Sequence, residues 1–244
     1  MKILIACEES GRVRDAFTRL GHDATSCDLL PSRTLGKHIQ GDVLKILNQG
    51  WDMMIAFPPC THLASSGAAH FYKKKKEQAE AIVFVKKLMA APIRKICIEN
   101  PVGVISTKIR KPDQIVQPYY WGDKAQKTTC LWLKNLPLLT WEHKEEYEKG
   151  EFFEWNDGKT GKLKRQPLWY YECHANGSKQ SRSVCRSTTF LGIANAMANQ
   201  WGKQPLSINA KIDLKARIEG LKLAAKYSTG KMKKQLIQRI AALS

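Results

Sequence analysis

Residues 2–30 read KILIACEESGRVRDAFTRLGHDATSCDLL, and their periodicity decides the fold class. KILIAC is an apolar run of strand length. SGRVRDAFTRLG switches to a helical pattern that ends at Gly21, and DATSCDLL returns to a strand. The same alternation continues outward. HIQGDVLKILNQG predicts a short strand and helix, WDMMIAFP a strand, KEQAEAIVFVKKLMAAP a helix and RKICIEN a further strand. Strands alternating with helices of this length imply a parallel sheet covered on both faces. With right-handed crossovers the expected class is α/β, a Rossmann-like doubly wound sheet.

From Val102 to Arg186 the pattern changes. Prolines, aromatics and short runs such as CLWLKNLPLL replace the clean alternation. EWNDGKTGKLKRQPLWYYE predicts a hairpin with a Gly-rich turn and basic, aromatic arms. FLGIANAMANQWG restores a helix. Beyond Pro205 the chain is amphipathic and rich in Lys and Arg, with two acids, Asp213 and Glu219. A Ser-Thr-Gly break at 228–230 divides it into two helices, expected to form a hairpin with a basic outer face.

Composition bounds the function. Apolar residues at 43% and charged residues at 25% are those of an ordinary soluble domain. The longest apolar stretches, 53–57 and 82–85, are too short to cross a bilayer. MKILIACEE reads as a first strand and not as a signal peptide. Seven cysteines with no C-x-x-C pair argue against a disulfide scaffold or a paired-cysteine zinc site, and favour a reducing cytoplasm. Cys173 and His174 are adjacent but lack a second ligand pair, so no metal is expected. Forty Lys and Arg against 22 Asp and Glu give a net charge of +18. A field of that sign attracts polyanions, and the clustering of the basic residues favours nucleic acid over a membrane surface or a merely solvated basic face.

At 52–67 the chain reads DMMIAFPPCTHLASSG. Cys7, Cys27, Cys97 and Cys130 lie within strand-like apolar runs and are assigned to packing. Cys60 follows two prolines just past a predicted central strand, at the edge where open α/β sheets place their ligands. The prolines stiffen its loop, and Thr61, Ser65, Ser66 and Gly67 are small enough to close around a substrate. If the fold brings Lys73–Lys76 near, they favour a thiolate. Glu99 and Asn100 follow KICI and precede Pro101, so they emerge at the same edge. A thiol and a carboxyl at neighbouring strand ends are a nucleophile and an acid.

In order, the chain carries Glu9-Ser10-Gly11 after strand one, Asp28 ending strand two, and Gly41-Asp42-Val43. Pro58-Pro59-Cys60, Glu99-Asn100-Pro101, Gln180-x-Arg182 and a helix from Gly192 to Trp201 follow. From Met1 to about Gly202 this series resembles the DNA cytosine carbon-5 methyltransferases, especially short phage and prophage members. The resemblance implies S-adenosylmethionine as donor, held by Glu9, Ser10, Gly11, Asp28, Leu29, Asp42, Val43 and Pro58. It implies catalysis by Cys60, Glu99 and Arg182 on a flipped cytosine. Contact to DNA, expected to be duplex, would come from Asn100, Gln180 and Arg186, with Lys164 and Arg165 on the hairpin and Trp155 or Trp169 as stacking groups. The implied division is 1–140 and 179–204 for the catalytic domain, 141–178 for a small target-recognition element and 205–244 for a basic helical segment.

The chain departs from the family pattern at three places. Thr61 stands where glutamine is usual after the cysteine, the first turn keeps one glycine behind Glu8 and Glu9, and Val184 replaces the second arginine of Q-x-R-x-R. An amino-group methyltransferase would need an aromatic after the prolines, where this chain has Cys60. RNA as the polymer fits the same chemistry and charge. A relative that binds DNA without methylating fits the charge but leaves Cys60 and Glu99 without a role.

Overall fold

The computed structural model describes the chain except residues 143–146, 176–181, 204–207 and 244. It divides into two compact units, Met1–Gly202 and Lys203–Ser244.

The first unit is built on a seven-stranded sheet. Its strands are β1 (Lys2–Ala6), β2 (Asp23–Asp28), β3 (His38–Gln40), β4 (Met53–Ala56), β5 (Lys95–Pro101), β6 (Gln114–Val116) and β7 (Thr129–Lys134), ordered β3-β2-β1-β4-β5-β7-β6. The pairs β1–β2, β2–β3, β1–β4 and β4–β5 are parallel, whereas β7 runs antiparallel between β5 and β6. This is the Rossmann-like sheet expected, extended by an edge that the alternation of the first hundred residues did not foretell.

Strand β1 is apolar from Ile3 to Ala6 because both of its faces are covered there. Leu4 joins Met54, Ile96, Ile98 and Trp132 on one face, beneath Val85 and Leu88 of α2 (Lys75–Met89). Ile3 and Ile5 join Met53, Ile55 and Leu131 on the other. Above these lie Val13 and Phe17 of α1 (Arg12–Arg19), with Ile193, Met197 and Trp201 of α6 (Leu191–Trp201). Each such side chain contributes about 1.5–3 kcal/mol on leaving water.

Two local expectations change. The helix predicted after Asp42 is a single 3-10 turn at Val43–Lys45. Gly50, at φ +71°, turns the chain back before a stable helix can propagate. The predicted hairpin is present as β8 (Phe152–Asn156) paired with β9 (Leu163–Pro167), but LWYYE does not extend it. Those residues begin α4 (Leu168–Ala175), which precedes α5 (Arg182–Ser187). A short α3 (Ile105–Lys108) completes the unit.

In the second unit, α7 (Ile208–Tyr227) and α8 (Gly230–Leu243) pair across Ser228 and Thr229, the break seen in the sequence. Gly230 adopts φ +60°, and Ala225 is buried. No helix among the described residues is long and apolar enough to cross a membrane.

Candidate active site

In this strand order the chain reverses direction between β1 and β4, and the crevice outside their carboxyl ends is where such sheets bind ligands. A cavity of about 820 Å³ opens there. One wall holds Glu8, Glu9, Ser10 and Asp28, the floor holds Phe57, Pro59, Cys60 and Thr61, and Tyr170, Val184, Arg186 and Thr189 close the far side.

The β1 wall is acidic and internally braced. Glu8 is buried, and its carboxylate accepts from the Val13 amide at 2.8 Å, the Arg14 amide at 3.3 Å and the Ser10 hydroxyl at 3.1 Å. The chain thereby caps its own α1, whose free N–H groups would otherwise attract an anion. Burial pushes the Glu8 carboxyl up, and those donors with Arg14 draw it back. Gly11 sits at φ +74°, and a side chain there would strike the Thr34 hydroxyl and the Arg14 guanidinium. Its glycine is required by packing within the chain, and Gly11 does not line the cavity. Arg14 is wholly buried and donates to Ser32, Thr34 and Leu35, fixing the 32–35 loop against α1.

Other residues of the implied cofactor set separate. Glu9 lines the cavity and pairs with Arg33 at 2.9 Å. Asp28 also lines it, and accepts from the Leu30 amide at 2.9 Å. Leu29 is 72% exposed and off the cavity, where Leu30 takes its place. Val43 is buried in the core, and Asp42 is exposed, capping the 3-10 turn by accepting from the Leu44 amide. The charges of Asp28 and Asp42 nevertheless converge on Cys7, whose thiol burial and those two acids push far up. Cys7 packs against the core as expected, and in addition it turns at φ +58° and lines the cavity.

The exits of β4 and β5 are joined. Asn100 is 1% exposed and donates to the Pro58 carbonyl at 2.7 Å, so its contact is to the loop of Cys60. The Ser65 amide donates to Val102 O and the Val104 amide to Leu63 O, both at 2.9 Å. Gly103 faces the Leu63 carbonyl so closely that a Cβ would collide with it. The amides of Leu63 and Ala64 return to the Cys60 carbonyl at 3.0 and 2.9 Å, closing a tight turn over the thiol. Pro58 is part of this clamp, and Pro59 faces the cavity.

Cys60 feels the charge of Glu99. Burial and then Glu99 push the Cys60 thiol up, while Lys127 and Arg186 pull it down. Burial likewise raises the Glu99 carboxyl, against Lys127 and a hydrogen bond from the Thr129 side chain. The basic groups acting on Cys60 are thus not Lys73–Lys76, which are exposed around the start of α2. Lys127 and Thr129 escape sequence reading because only the antiparallel insertion of β7, with Thr129 opposite Pro101, carries them to Glu99.

The far wall comes from α4 and α5. Arg186 stacks over the Tyr170 ring at 5.4 Å and its carbonyl accepts from Lys127 Nζ at 2.9 Å. Arg12 and Arg33 donate to Thr189 O and Thr188 Oγ1 at 2.9 and 3.1 Å. Cys173 and Cys185 form a disulfide between these helices, with Cα atoms 6.1 Å apart, so the expectation of unpaired thiols fails at this one pair. Apposition of α4 and α5 brings together two cysteines whose spacing in sequence follows no pairing motif. Gln180 lies outside the described residues, as does the Arg182 side chain. Among the described residues no cluster could hold a metal.

Lys164 and Arg165 are exposed on β9, away from the cavity. Lys164 is paired with Asp157, and Arg165 lies over the Phe152 ring at 5.0 Å. By strand alternation Trp155 shares the face of Phe153, which stacks on Tyr171 at 3.6 Å, and Trp169 donates to Gln126 O. Trp155 therefore packs along the hairpin, whereas Trp169 braces the segment before β7. A second cavity, about 670 Å³, lies among Tyr119, Tyr120, Trp121 and Trp141. Gln200 and Trp121 both bond Thr140 there, and the Tyr147 hydroxyl is buried without a hydrogen-bond partner among the described residues.

No protein-family model matches the chain. No curated protein matches it either. Among solved structures it is similar to a protein described as a candidate DNA modification methyltransferase encoded within an E. coli prophage. The identity is 13% and the TM-score 0.36, over 54% of this chain and 45% of that one. The chain spans less than half of that neighbour's length.

Proposed function

We propose that the chain is a DNA cytosine-5 methyltransferase with S-adenosylmethionine as donor. One juxtaposition carries the reading: Cys60 and Glu99, coupled by charge, leave the carboxyl ends of adjacent parallel strands, with Cys60 on the cavity floor. The donor supplies an electrophilic methyl on a positively charged sulfur. Glu9 is already paired with Arg33, but Asp28 on the same wall, with the field of Asp42 behind it, suits that cation. Because Glu8 already occupies the N-terminus of α1, this crevice lacks the phosphate seat of a dinucleotide site and suits a cofactor without phosphate. In this reading Asp28, which ends β2 and lines the cavity, holds the ribose diol.

Carbon-5 of cytosine is a weak nucleophile inside an aromatic ring. The Cys60 sulfur, after its proton passes to water, bonds carbon-6 as Glu99 gives its proton to the ring nitrogen. Negative charge moves from sulfur to carboxylate, and carbon-5, now enamine-like, takes the methyl group. Its proton then leaves to water, the sulfur–carbon bond breaks and Glu99 recovers a proton from the ring nitrogen. Burial raises the Glu99 carboxyl, which favours the protonated form that the first step uses. A stacked base cannot reach Cys60, so the reaction requires base extrusion.

The test is nucleoside analysis of duplex DNA incubated with the protein and S-adenosylmethionine, with RNA as a parallel substrate. 5-Methylcytosine in DNA, abolished by Cys60→Ala, is the expected outcome. Methylated RNA alone would reassign the polymer, and modification that survives in Cys60→Ala would overturn the covalent mechanism.

A further inference from the structure

We propose that Lys127 is a positioning residue for this site, its ammonium held at the carboxyl edge of β5 to stabilise the single negative charge shared by Cys60 and Glu99. The inference rests on the methyl-transfer reading for its purpose but not for its test.

The chain anchors residues 126–129 from several sides. Gln117 Oε1 accepts from the Lys127 amide at 3.0 Å, and Gln117 Nε2 donates to Thr128 Oγ1 at 2.8 Å. Trp169 Nε1 donates to Gln126 O at 3.2 Å, and Thr129 enters β7 opposite Pro101. Since β7 runs antiparallel to β5, residues before Thr129 continue past Pro101, toward the ligand edge of the sheet. Lys127 Nζ is then fixed at its tip, donating to Arg186 O at 2.9 Å with the Phe190 ring 6.0 Å below. A solvated lysine needs no such scaffold, because ordering a long side chain costs rotamer freedom.

Its charge reaches both reacting groups, lowering the Cys60 thiol and the Glu99 carboxyl alike. That is the property the chemistry needs. The pair starts as thiolate and carboxylic acid and becomes thioether and carboxylate, so one negative charge migrates between the two groups. A fixed cation within reach of both stabilises the charge at either end without moving. Arg186 also lowers Cys60, but Lys127 is the cation whose charge lowers Glu99 as well.

The test needs neither DNA nor cofactor. The rate at which iodoacetamide alkylates Cys60, followed by mass spectrometry of its peptide across pH, reports the fraction of thiolate. Removing a nearby cation disfavours the thiolate, so Lys127→Met and Lys127→Gln should move the midpoint up by about one pH unit. Below the midpoint that is roughly tenfold slower alkylation, and Lys127→Arg should restore the original profile. An unchanged midpoint in folded Met and Gln variants would overturn the proposal. So would two neutral variants that fail to fold beside an arginine variant that does, because the charge would then serve folding. Absence of 5-methylcytosine from the wild-type reaction, with the midpoint shift intact, would instead sink the methyl-transfer reading and leave the role of Lys127 standing.

Discussion

At the residue scale, the site depends on two groups whose ionisation is coupled. Each of Cys60 and Glu99 is raised by burial, and Glu99 raises Cys60 further by its charge. When Glu99 is protonated, that repulsion vanishes and the thiol ionises more readily. Glu99→Gln should therefore lower the alkylation midpoint of Cys60 while cutting methyl transfer by roughly 10²–10⁴-fold, the usual worth of a positioned acid. Opposite movements of thiol reactivity and transfer rate separate this coupling from simple damage to the site. Alkylation titrations beside single-turnover assays measure both.

At the element scale, what positions Cys60 is the seam between two loops. The turn after β4 and the turn after β5 are joined by backbone bonds at Ser65 and Val104 and by Asn100 on Pro58. Gly103 lets the backbones approach this closely. Gly103→Val should force the seam apart and cost about 1–3 kcal/mol, the usual penalty of overpacking, with a matching loss of transfer. Gly158→Ala, where a Cβ meets nothing within 4 Å, should stay within about 0.5 kcal/mol. Urea melts of the two variants make the comparison. A second element, α1, is closed by Glu8, and this distinguishes the crevice from a phosphate-binding βα turn of the same sheet.

At the scale of the whole molecule, charge governs encounter. The net +18 is unevenly spread: residues 203–244 hold ten of the 40 Lys and Arg and two of the 22 acids. Lys222, Lys226, Lys233 and Lys234 are exposed on α7 and α8. Replacing all four by glutamine should reduce the slope of log affinity against log salt by about 0.9 for each DNA phosphate that these lysines neutralise. DNA-binding titrations at several salt concentrations give that slope. An unchanged slope would mean that these lysines only solvate the helices.

How much was legible beforehand follows from which interactions are local. Period and punctuation are local, so strands β1, β2, β4 and β5 and helices α1, α2 and α6 were readable, as was the break between α7 and α8. The double proline before Cys60 and the glutamate ending KICI were readable for the same reason, since a parallel strand delivers its last residue to a known edge. Tertiary structure alone decided which charges act on them. Lys73–Lys76 lie close to Cys60 in sequence yet do not act on it. Lys127, far along the chain, does, because an antiparallel strand returns the backbone beside Glu99. The pairing of Cys173 with Cys185 and the burial of Val43 arise likewise from non-local packing. Sequence by itself determined the scaffold and the delivery of Cys60 and Glu99 to one edge of it, through hydrophobic periodicity and backbone stiffness. The electrostatic setting of that pair was decided only in three dimensions, because Coulomb interaction follows distance in space and not separation along the chain.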